Sequence, residues 1–392
     1  MATAIADRTQ VPVGLIHVSL AVGGFAIGTT EFATMSLLPD LARDLRVDAP
    51  TAGHVISAYA LGVVVGAPAL AVLGATMARR TLLIVLMAMF AFGNAMSALA
   101  PSYGMMLLFR FLSGLPHGAY FGIATLVAAS LVDQGRRTQA VARVLLGLTV
   151  ATVVGVPVAN LLGQSVGWRA SFLVVAGLAA LTATLVALFA PRDRADSSAS
   201  PLRELTALRR PQVWLTLGIG AIGFGGLFAV YTYLADTMLA VTGVGPRTVP
   251  FALMLFGVGM TAGNLIVPKL ADRALLPTAA GLLAWSAVSL ALWPLAAPHL
   301  ATVMVAMVAI GMGGSLGTVL QTRLMDVAGD AQGLAAALNH SAFNTANALG
   351  PWLGGLAIAA GYGWTSTGWV GAGLALGGLS MLAVSWGLER RG

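Results

Sequence analysis

The sequence predicts an all-α membrane protein with twelve transmembrane helices in two six-helix halves. Three observations predict this fold class. The 392 residues are 58% hydrophobic and only 9% charged. Apolar stretches long enough to cross a bilayer follow one another along the chain, and two local patterns of the first half return in the second half at a common offset.

The composition excludes several other classes of protein. Soluble domains carry about 25% charged residues, and disordered chains combine low hydrophobicity with high charge. The formal charge of +7 does not indicate nucleic-acid binding, because the basic residues stand singly or in pairs between apolar runs and form no basic face. The chain has no cysteine, so we expect no disulfide, thiolate metal site or cysteine nucleophile. The expected surroundings are a lipid bilayer.

The apolar stretches define the predicted spans. A spanning helix needs about 20 apolar residues, and cutting the chain at charges, prolines and loop-like clusters gives twelve stretches: 13–36, 51–74, 82–100, 104–132, 138–163, 169–190, 213–236, 248–268, 276–297, 300–322, 334–358 and 365–387. No small-residue cleavage site follows the first stretch, so it is expected to be a retained span and not a signal peptide. The polar segment 191–212 is the predicted linker between an N-terminal half, 1–190, and a C-terminal half, 213–392.

Basic residues set the predicted orientation. With the amino terminus inside, 16 of the 21 basic residues fall in inner segments and four in outer segments; Arg8, Arg194 and Arg391 are among the inner ones. Cytoplasmic loops of membrane proteins are enriched in Lys and Arg. We therefore expect a multi-pass protein of the inner (cytoplasmic) cell membrane with both termini and the linker in the cytoplasm.

An internal repeat supports the division into halves. Arg79 follows the second stretch and Arg273 follows the eighth, 194 residues later. Pro157 in the fifth stretch and Pro351 in the eleventh are separated by the same 194 residues, which is close to half the chain. Repeated halves that meet around a midplane site are a common architecture of secondary transporters.

Two motifs resemble those of the major facilitator superfamily, and the resemblance covers essentially the whole chain. The loop Lys269-Leu-Ala-Asp272-Arg273 is similar to the superfamily pattern G-x-L-A-D-R, whereas the equivalent first-half loop has Ala78 in place of the acid. Arg110-Phe-Leu-Ser-Gly114-Leu-Pro-His117-Gly118 is similar to the helix 4 pattern R-x-x-x-G-x-x-x-G of proton-driven members.

A closer resemblance is to the arabinose-efflux-permease type within the drug:proton antiporter branch. It rests on part of the antiporter pattern of helix 5 and on the strings Thr30-Glu31-Phe32, Leu38-Pro39-Asp40-Leu41-Ala42 and Pro116-His117-Gly118-Ala-Tyr-Phe121-Gly122. The resemblance implies the major facilitator fold, a functional monomer and a cavity between the halves. It also implies that a proton gradient supplies the energy, with no cofactor, and that the solutes are sugars, chloramphenicol-like drugs or purine-type compounds.

Glu31 and Arg110 are charged residues inside predicted spans, where a charge is costly and is a functional hypothesis by default. Glu31 lies about five residues before the outer end of the first span and Arg110 about six residues past the outer end of the fourth, at depths of roughly 7 and 9 Å. An apolar surrounding favours a neutral carboxyl, whereas a nearby guanidinium favours the carboxylate. We expect the two residues to couple protons to transport; the alternative is a static ion pair that fixes helix packing.

Histidine, amide and tyrosine side chains complete the candidate site. His117 shares a helical face with Arg110, and because imidazole titrates near neutrality it is expected either to take part in proton coupling or to pack. His340 and Asn344, four residues apart, predict a polar cavity wall, with helix–helix hydrogen bonding as the alternative. The other candidate cavity residues are Tyr59, Asn94, Tyr231, Asn264 and Gln321.

Small residues and prolines predict the positions where helices bend, and a loop motif predicts gating residues. Gly155 with Pro157, and Gly350 with Pro351, are predicted bending points for the rocking of one half on the other. Packing alone is the alternative for these glycines. Asp272 and Arg273 are the predicted gating residues of the second-half loop.

The function predicted from these features is proton-coupled export of a small solute by alternating access. Uptake by proton symport or facilitated passage is one alternative, and a membrane sensor that has the fold without flux is another. An enzyme is not expected, because the chain has neither the G-x-x-x-x-G-K-[ST] nor the H-E-x-x-H string. Its one G-x-S-x-G string, at Gly313 to Gly317, lies inside an apolar span and not on a strand-to-helix turn.

Overall fold

The computed structural model describes residues 11–47, 49–192 and 201–390, and these residues form helices without a β-strand. The all-α prediction is confirmed. The long helices are α1 (Val13–Leu45), α2 (Ala49–Leu73), α3 (Arg79–Ala98), α4 (Tyr103–Ser130), α5 (Gln134–Ser165), α6 (Trp168–Phe189), α7 (Pro211–Thr232), α8 (Val249–Ala271), α9 (Leu275–Ala291), α10 (Leu300–Val327), α11 (Gln332–Ala357) and α12 (Ser366–Glu389).

Ten of these helices in the described part of the chain are long and apolar enough to cross a membrane. The two others stand where the sequence predicts the ninth and eleventh spans. Helix α9 is apolar but has only 17 residues, and α11 has 26 residues but carries buried polar side chains such as Asn339, His340 and Asn344. The polar side chains of α11 are the reason why composition alone does not identify it as a span.

Several helix boundaries differ from the predicted ones. Helix α1 continues ten residues beyond its apolar part, Val13–Met35, and ends at Leu45, where Arg46 follows in a left-handed conformation. A π-helical turn, Ala151–Gly155, interrupts α5 just before Pro157, and the segment predicted to be a linker contains two short helices, Pro201–Leu205 and Thr206–Arg209. Residues 193–200 of that segment, with Arg194, and the terminal Arg8 and Arg391 lie outside the described residues.

Two large apolar cores hold the helices together. One is built mainly from residues between Ile16 and Ala190 and the other from residues between Ile219 and Leu382. Each removes a large apolar surface from contact with water or lipid and packs it at close range. The linker helices lie at the end of the molecule where α2 ends and α11 begins. We call this end the linker side and the opposite end the far side.

A matching pair of helix crossings relates the two halves. The backbones of α2 and α4 approach each other at Gly62 and Gly114, and those of α8 and α10 approach each other at Gly259 and Gly311. A Cβ atom at any of these positions would meet the backbone of the opposite helix, so only glycine permits the crossing. Both glycines of the second crossing lie 197 residues after those of the first. This offset is within three residues of the 194-residue repeat seen in the sequence.

Candidate functional site

A cavity lies between the helices of the two halves. Helices α1, α4 and α5 line it on one side, and α7, α8, α10 and α11 line it on the other. Of the residues singled out from the sequence, the cavity is lined by Glu31, His117, Asn264, His340 and Asn344. The other lining residues are Phe32, Leu145, Leu148, Thr149, Phe224, Phe228, Met260, Gly314, Gly317, Thr318, Phe343 and Asn347.

Glu31 is the acidic residue of this cavity wall. Its side chain is partly buried in α1, next to Phe32, and no hydrogen bond or ion pair holds its carboxyl group among the described contacts. A carboxylate without a partner is costly in apolar surroundings. The carboxyl group is therefore open to a proton or to a group of a bound solute.

Arg110 does not contact Glu31, although the sequence places the two at similar depths. The side chain is 1% exposed, its Nη1 donates to Thr30 Oγ1 at 3.2 Å, and its guanidinium lies 4.3 Å from the ring centre of Tyr59. Its centre is 5.5 Å from the ring of Phe172. The expected ion pair does not form, because the guanidinium lies in aromatic packing between α2, α4 and α6, where cation–π contacts favour it. Its positive charge still acts on Glu31.

A line of hydrogen-bonded side chains leads from Tyr59, on whose ring Arg110 packs, to the second half. The Tyr59 hydroxyl lies 2.9 Å from His117 Nδ1, and His117 Nε2 lies 3.3 Å from His340 Nδ1. The His340 ring stacks on Phe121 with centres 4.5 Å apart and planes 10° apart, and its Nε2 is buried without a partner. The line joins α2, α4 and α11, so any movement between the halves acts on the contact between the two histidines.

The second half contributes amide groups to the wall. Asn264 Oδ1 accepts from Thr318 Oγ1 at 2.5 Å, and Asn344 Nδ2 donates to the carbonyl of His340 at 2.9 Å. The amide of Asn264 keeps its nitrogen, and that of Asn344 its oxygen, outside these two bonds, because each amide carries both a donor and an acceptor. These groups give the cavity directional hydrogen-bonding capacity.

Four predicted cavity residues do not line the cavity. Tyr59 is buried behind His117, and Asn94 accepts from Thr30 Oγ1 at 2.8 Å deeper in the first half. The ring of Tyr231 packs on Phe256 at 4.8 Å. Gln321 Nε2 donates across the halves to Thr125 Oγ1 at 2.9 Å and to the carbonyl of Ala336 at 3.1 Å. These side chains pack inside the helix bundle, and three of them hydrogen-bond there, so a polar residue in a span does not by itself identify the wall.

The predicted bending points lie at close helix contacts. Gly155 ends the π-helical turn of α5, where a Cβ atom would meet Thr29, and Pro157 is the second residue of the α-helical part that follows. Gly350 lets α11 approach the backbone of α7. Inside α11, the carbonyl of Pro351 accepts from the Tyr233 hydroxyl at 3.0 Å. Bending at these positions stays a prediction.

Asp272 joins the halves on the linker side. Its carboxylate accepts from the backbone N–H groups of Thr138 at 2.7 Å and of Gln139 at 3.3 Å, and from Gln139 Nε2 at 2.9 Å. Arg137 and Asp326 form a second cross-half contact at 2.9 Å. Arg273, the other predicted gating residue, is exposed. The linker side is therefore held by polar contacts in this structure.

The sequence reasoning missed the aromatic part of the wall. Phe224 and Phe343 stack with centres 4.5 Å apart, Phe228 lies 5.6 Å from Phe224, and Phe32 and Met260 complete the surface. Aromatic residues are common in spans as packing and interfacial residues, so composition did not single these out. The signal present in the sequence was the spacing of Phe224 and Phe228, and of His340 and Phe343, which places each pair on one helical face.

Comparison with known proteins places these features in a family. The family model described as Major Facilitator Superfamily matches residues 20–314. The inner membrane transport protein YdhP of Escherichia coli K12 is 42% identical over 367 residues, which are 93% of this chain and 94% of YdhP. A chloramphenicol resistance protein of Streptomyces lividans is 36% identical over 341 residues, 85% of this chain and 86% of that protein.

A solved structure shows the same fold. The crystal structure of the human organic anion transporter MFSD10 superposes with a TM-score of 0.74 at 15% sequence identity, covering 94% of this chain and 98% of that one.

Proposed function

Because the chain belongs to the Major Facilitator Superfamily, and is thus a multi-pass membrane transporter and not an enzyme, we propose that it exports a small aromatic solute in exchange for protons. The cavity between the halves would bind the solute, and Glu31 would carry the proton. The observation that carries the proposal is the position of Glu31, an acidic side chain without an ion-pair partner that faces the cavity beside an aromatic wall.

The exchange follows from the two roles of one carboxyl group. In an apolar cavity without a direct ion-pair partner the neutral form is favoured, whereas contact with water or with a polar solute favours the carboxylate. A carboxyl group that holds a proton in one conformation and releases it in the other moves one proton per cycle. The hydrogen bond between His117 and His340, which joins the halves, would respond to the same change of conformation.

The wall supports an aromatic solute with hydrogen-bonding groups. Phe224, Phe228 and Phe343 offer ring faces and edges, and Asn264 and Asn344 offer amide groups. Such a mixture of apolar surface and few polar groups is typical of drug-sized ligand sites. A chloramphenicol-like drug therefore fits better than a sugar, and the relative from Streptomyces lividans, whose name is a chloramphenicol resistance protein, agrees with this choice.

The proposal includes the arrangement in the membrane. The ten apolar helices together with α9 and α11 would make twelve spans, with the linker and both termini in the cytoplasm because the basic residues collect there. The linker side is then the cytoplasmic side, and the structure corresponds to a state closed toward the cytoplasm. A monomer contains the whole cavity, so we expect a monomer to be sufficient, without any cofactor.

The test is solute-induced proton movement in proteoliposomes. A panel of pentoses, nucleosides and aromatic drugs including chloramphenicol is added to vesicles that contain the wild type, Glu31→Gln or Asp40→Asn. Asp40 is the matched control, because it is an acid of the same helix that pairs with Arg43 at the surface, at 3.1 Å. We expect a proton signal with an aromatic solute that Glu31→Gln loses and Asp40→Asn keeps.

Two results would lead to other functions. A signal of the opposite sign, with protons and solute moving together, would indicate uptake by symport, for which a sugar or a nucleoside is the alternative solute. Solute binding with no flux of solute or protons, by folded protein, would indicate a sensor. A full signal in Glu31→Gln would show that the proton site lies elsewhere.

A further inference from the structure

The second half binds the first through a carboxylate at a helix N-terminus. Helix α5 has no side-chain cap of its own, since Arg136 precedes its α-helical part without such a bond. Asp272 supplies the missing acceptor from the opposite half, bonding to the N–H groups of Thr138 and Gln139. The first N–H groups of a helix lack intrahelical partners and carry partial positive charge, so the carboxylate is well placed.

The repeat predicts the same contact at α11, but its acid is missing. The residue 194 positions before Asp272 is Ala78, which offers no acceptor. Helix α11 also lacks a cap of its own, since Ala331 precedes it. Without another partner, the N-terminus of α11 would have unsatisfied N–H groups on the linker side.

Glu204 of the linker occupies this place. Its Oε2 accepts from the backbone N–H of Leu334 at 2.7 Å, in the first turn of α11. Gly333 leaves room for the contact, because a Cβ atom there would lie 3.2 Å from Oε2 of Glu204. The bond matches that of Asp272 to α5 in donor type, helix position and side of the molecule.

The surroundings of Glu204 connect it to both halves. Arg79, the first residue of α3, and Arg203 are close enough to act on its charge. Burial raises the pKa of Glu204 above its usual value, and this effect outweighs the bond from Leu334 and the two arginines, which lower the pKa. The carboxylate thus lies between a cationic side chain of the first half and a helix N-terminus of the second.

We propose that Glu204 is a latch that replaces the absent first-half loop acid and holds the linker side of the transporter closed. The latch opens in each cycle when α11 moves away from the linker. The role in a cycle rests on the proposed function, whereas the closing contact itself does not.

The test uses the absence of natural cysteines. A single reporter, Thr125→Cys, lies in α4 between the halves, where Thr125 is buried and contacts Gln321. Its alkylation rate by N-ethylmaleimide in lipid vesicles measures opening of the linker side, without any solute or proton gradient. We expect Glu204→Ala to raise the rate at least about tenfold, the effect of losing one charged hydrogen bond. Asp272→Ala should raise it in the same direction.

Three further variants make the test specific. Asp330→Ala removes an acid at the same end of the molecule that pairs with Arg203 at 3.5 Å, and it should leave the rate within about twofold of the reporter alone. Glu204→Gln keeps an amide oxygen near Leu334 and should give an intermediate rate. This variant also provides the test if Glu204→Ala does not fold. Ala78→Asp in the Glu204→Ala background should lower the rate again, because it restores the acid at the symmetric position.

An unchanged rate in both Glu204 variants, or an equal rise in Asp330→Ala, would overturn the latch. These rates are measured without solute or a proton gradient, so they do not depend on whether the protein exchanges protons. The two proposals are therefore tested separately.

Discussion

Nε2 of His117 in α4 lies 3.3 Å from Nδ1 of His340 in α11, so a single hydrogen bond between two buried imidazole rings joins the halves beside the cavity. One ring donates and the other accepts, so the bond forms only when one of the two facing nitrogens carries a proton and the other does not. Two charged rings at this distance would repel each other. The contact is therefore sensitive both to protons and to the relative position of the halves.

Replacing one of these rings should loosen the closed state. His340→Phe keeps a ring to stack on Phe121 but removes the bond to His117. Because one buried hydrogen bond is worth about 1 kcal/mol, we expect the linker side to open about fivefold more often. The alkylation rate of Thr125→Cys measures this, with His299→Phe as control, since His299 is exposed in the loop before α10. Equal rates in both variants would show that the histidine bond does not contribute to closure.

The aromatic wall should determine the affinity for the solute. Phe228→Ala removes a ring that lines the cavity and contacts Phe224. An aromatic contact is worth about 0.5–1.5 kcal/mol beyond area burial, so we expect the Kd of an aromatic solute to rise about three- to tenfold. Equilibrium binding to purified protein measures the change. The control is Phe92→Ala in α3, whose ring is 59% exposed on the outside of the molecule; a similar loss in that variant would contradict a specific role for the wall.

A methyl group at Gly350 should destabilise the second half. The Cβ atom of Gly350→Ala would meet the carbonyl of Gly225 in α7, and overpacking of a close contact costs about 1–3 kcal/mol. We expect the free energy of unfolding in mixed micelles to fall by that amount. Gly373→Ala adds the same methyl group in α12, where no atom lies within 4 Å of it. A stable Gly350→Ala variant would show that α7 and α11 separate at little cost.

On the far side, Asp44 should contribute stability that depends on pH. A hydrogen bond from Arg169 holds the pKa of Asp44 below its usual range, against the opposite effect of burial. Because the folded pKa is the lower one, the contribution is complete above the unfolded pKa of about 3.9 and is lost as the pH falls through the folded pKa. Both side chains are nearly half exposed, so the contribution is at most about 1 kcal/mol.

Unfolding of Asp44→Asn and of the wild type at pH 7 and pH 3 tests this contribution. The difference in the free energy of unfolding should be full at pH 7 and smaller at pH 3. A difference that is the same at both values would assign the effect to packing and not to charge.

Much of the fold was predictable because each span must bury its backbone in a continuous apolar helix. Cutting the apolar stretches at charges and prolines therefore located the long helices, α9 and α11 included, and the repeat offset predicted paired halves. Helix boundaries were less accurate at α1, because its amphipathic end beyond Met35 leaves the apolar pattern while the helix continues.

The site was predictable in its residues but not in its contacts. Glu31, His117 and His340 were identified because ionisable groups are rare in spans. The direction of Arg110 toward Tyr59 depends on how the helices are rotated. The contact between the two histidines joins positions 223 residues apart. No local sequence pattern contains either. Glu204 was missed for a related reason: its partner is a backbone N–H group, which leaves no trace in the sequence.

The central claim is that Glu31 couples proton movement to solute movement. The most direct measurement separates proton-driven accumulation of the solute from its simple exchange. Vesicles that contain the wild type or Glu31→Gln are loaded with the aromatic solute and tested both for solute exchange at equal pH and for uphill accumulation driven by a pH gradient. We predict that Glu31→Gln keeps exchange but loses accumulation, since its amide cannot release a proton. Full accumulation in Glu31→Gln would contradict the account.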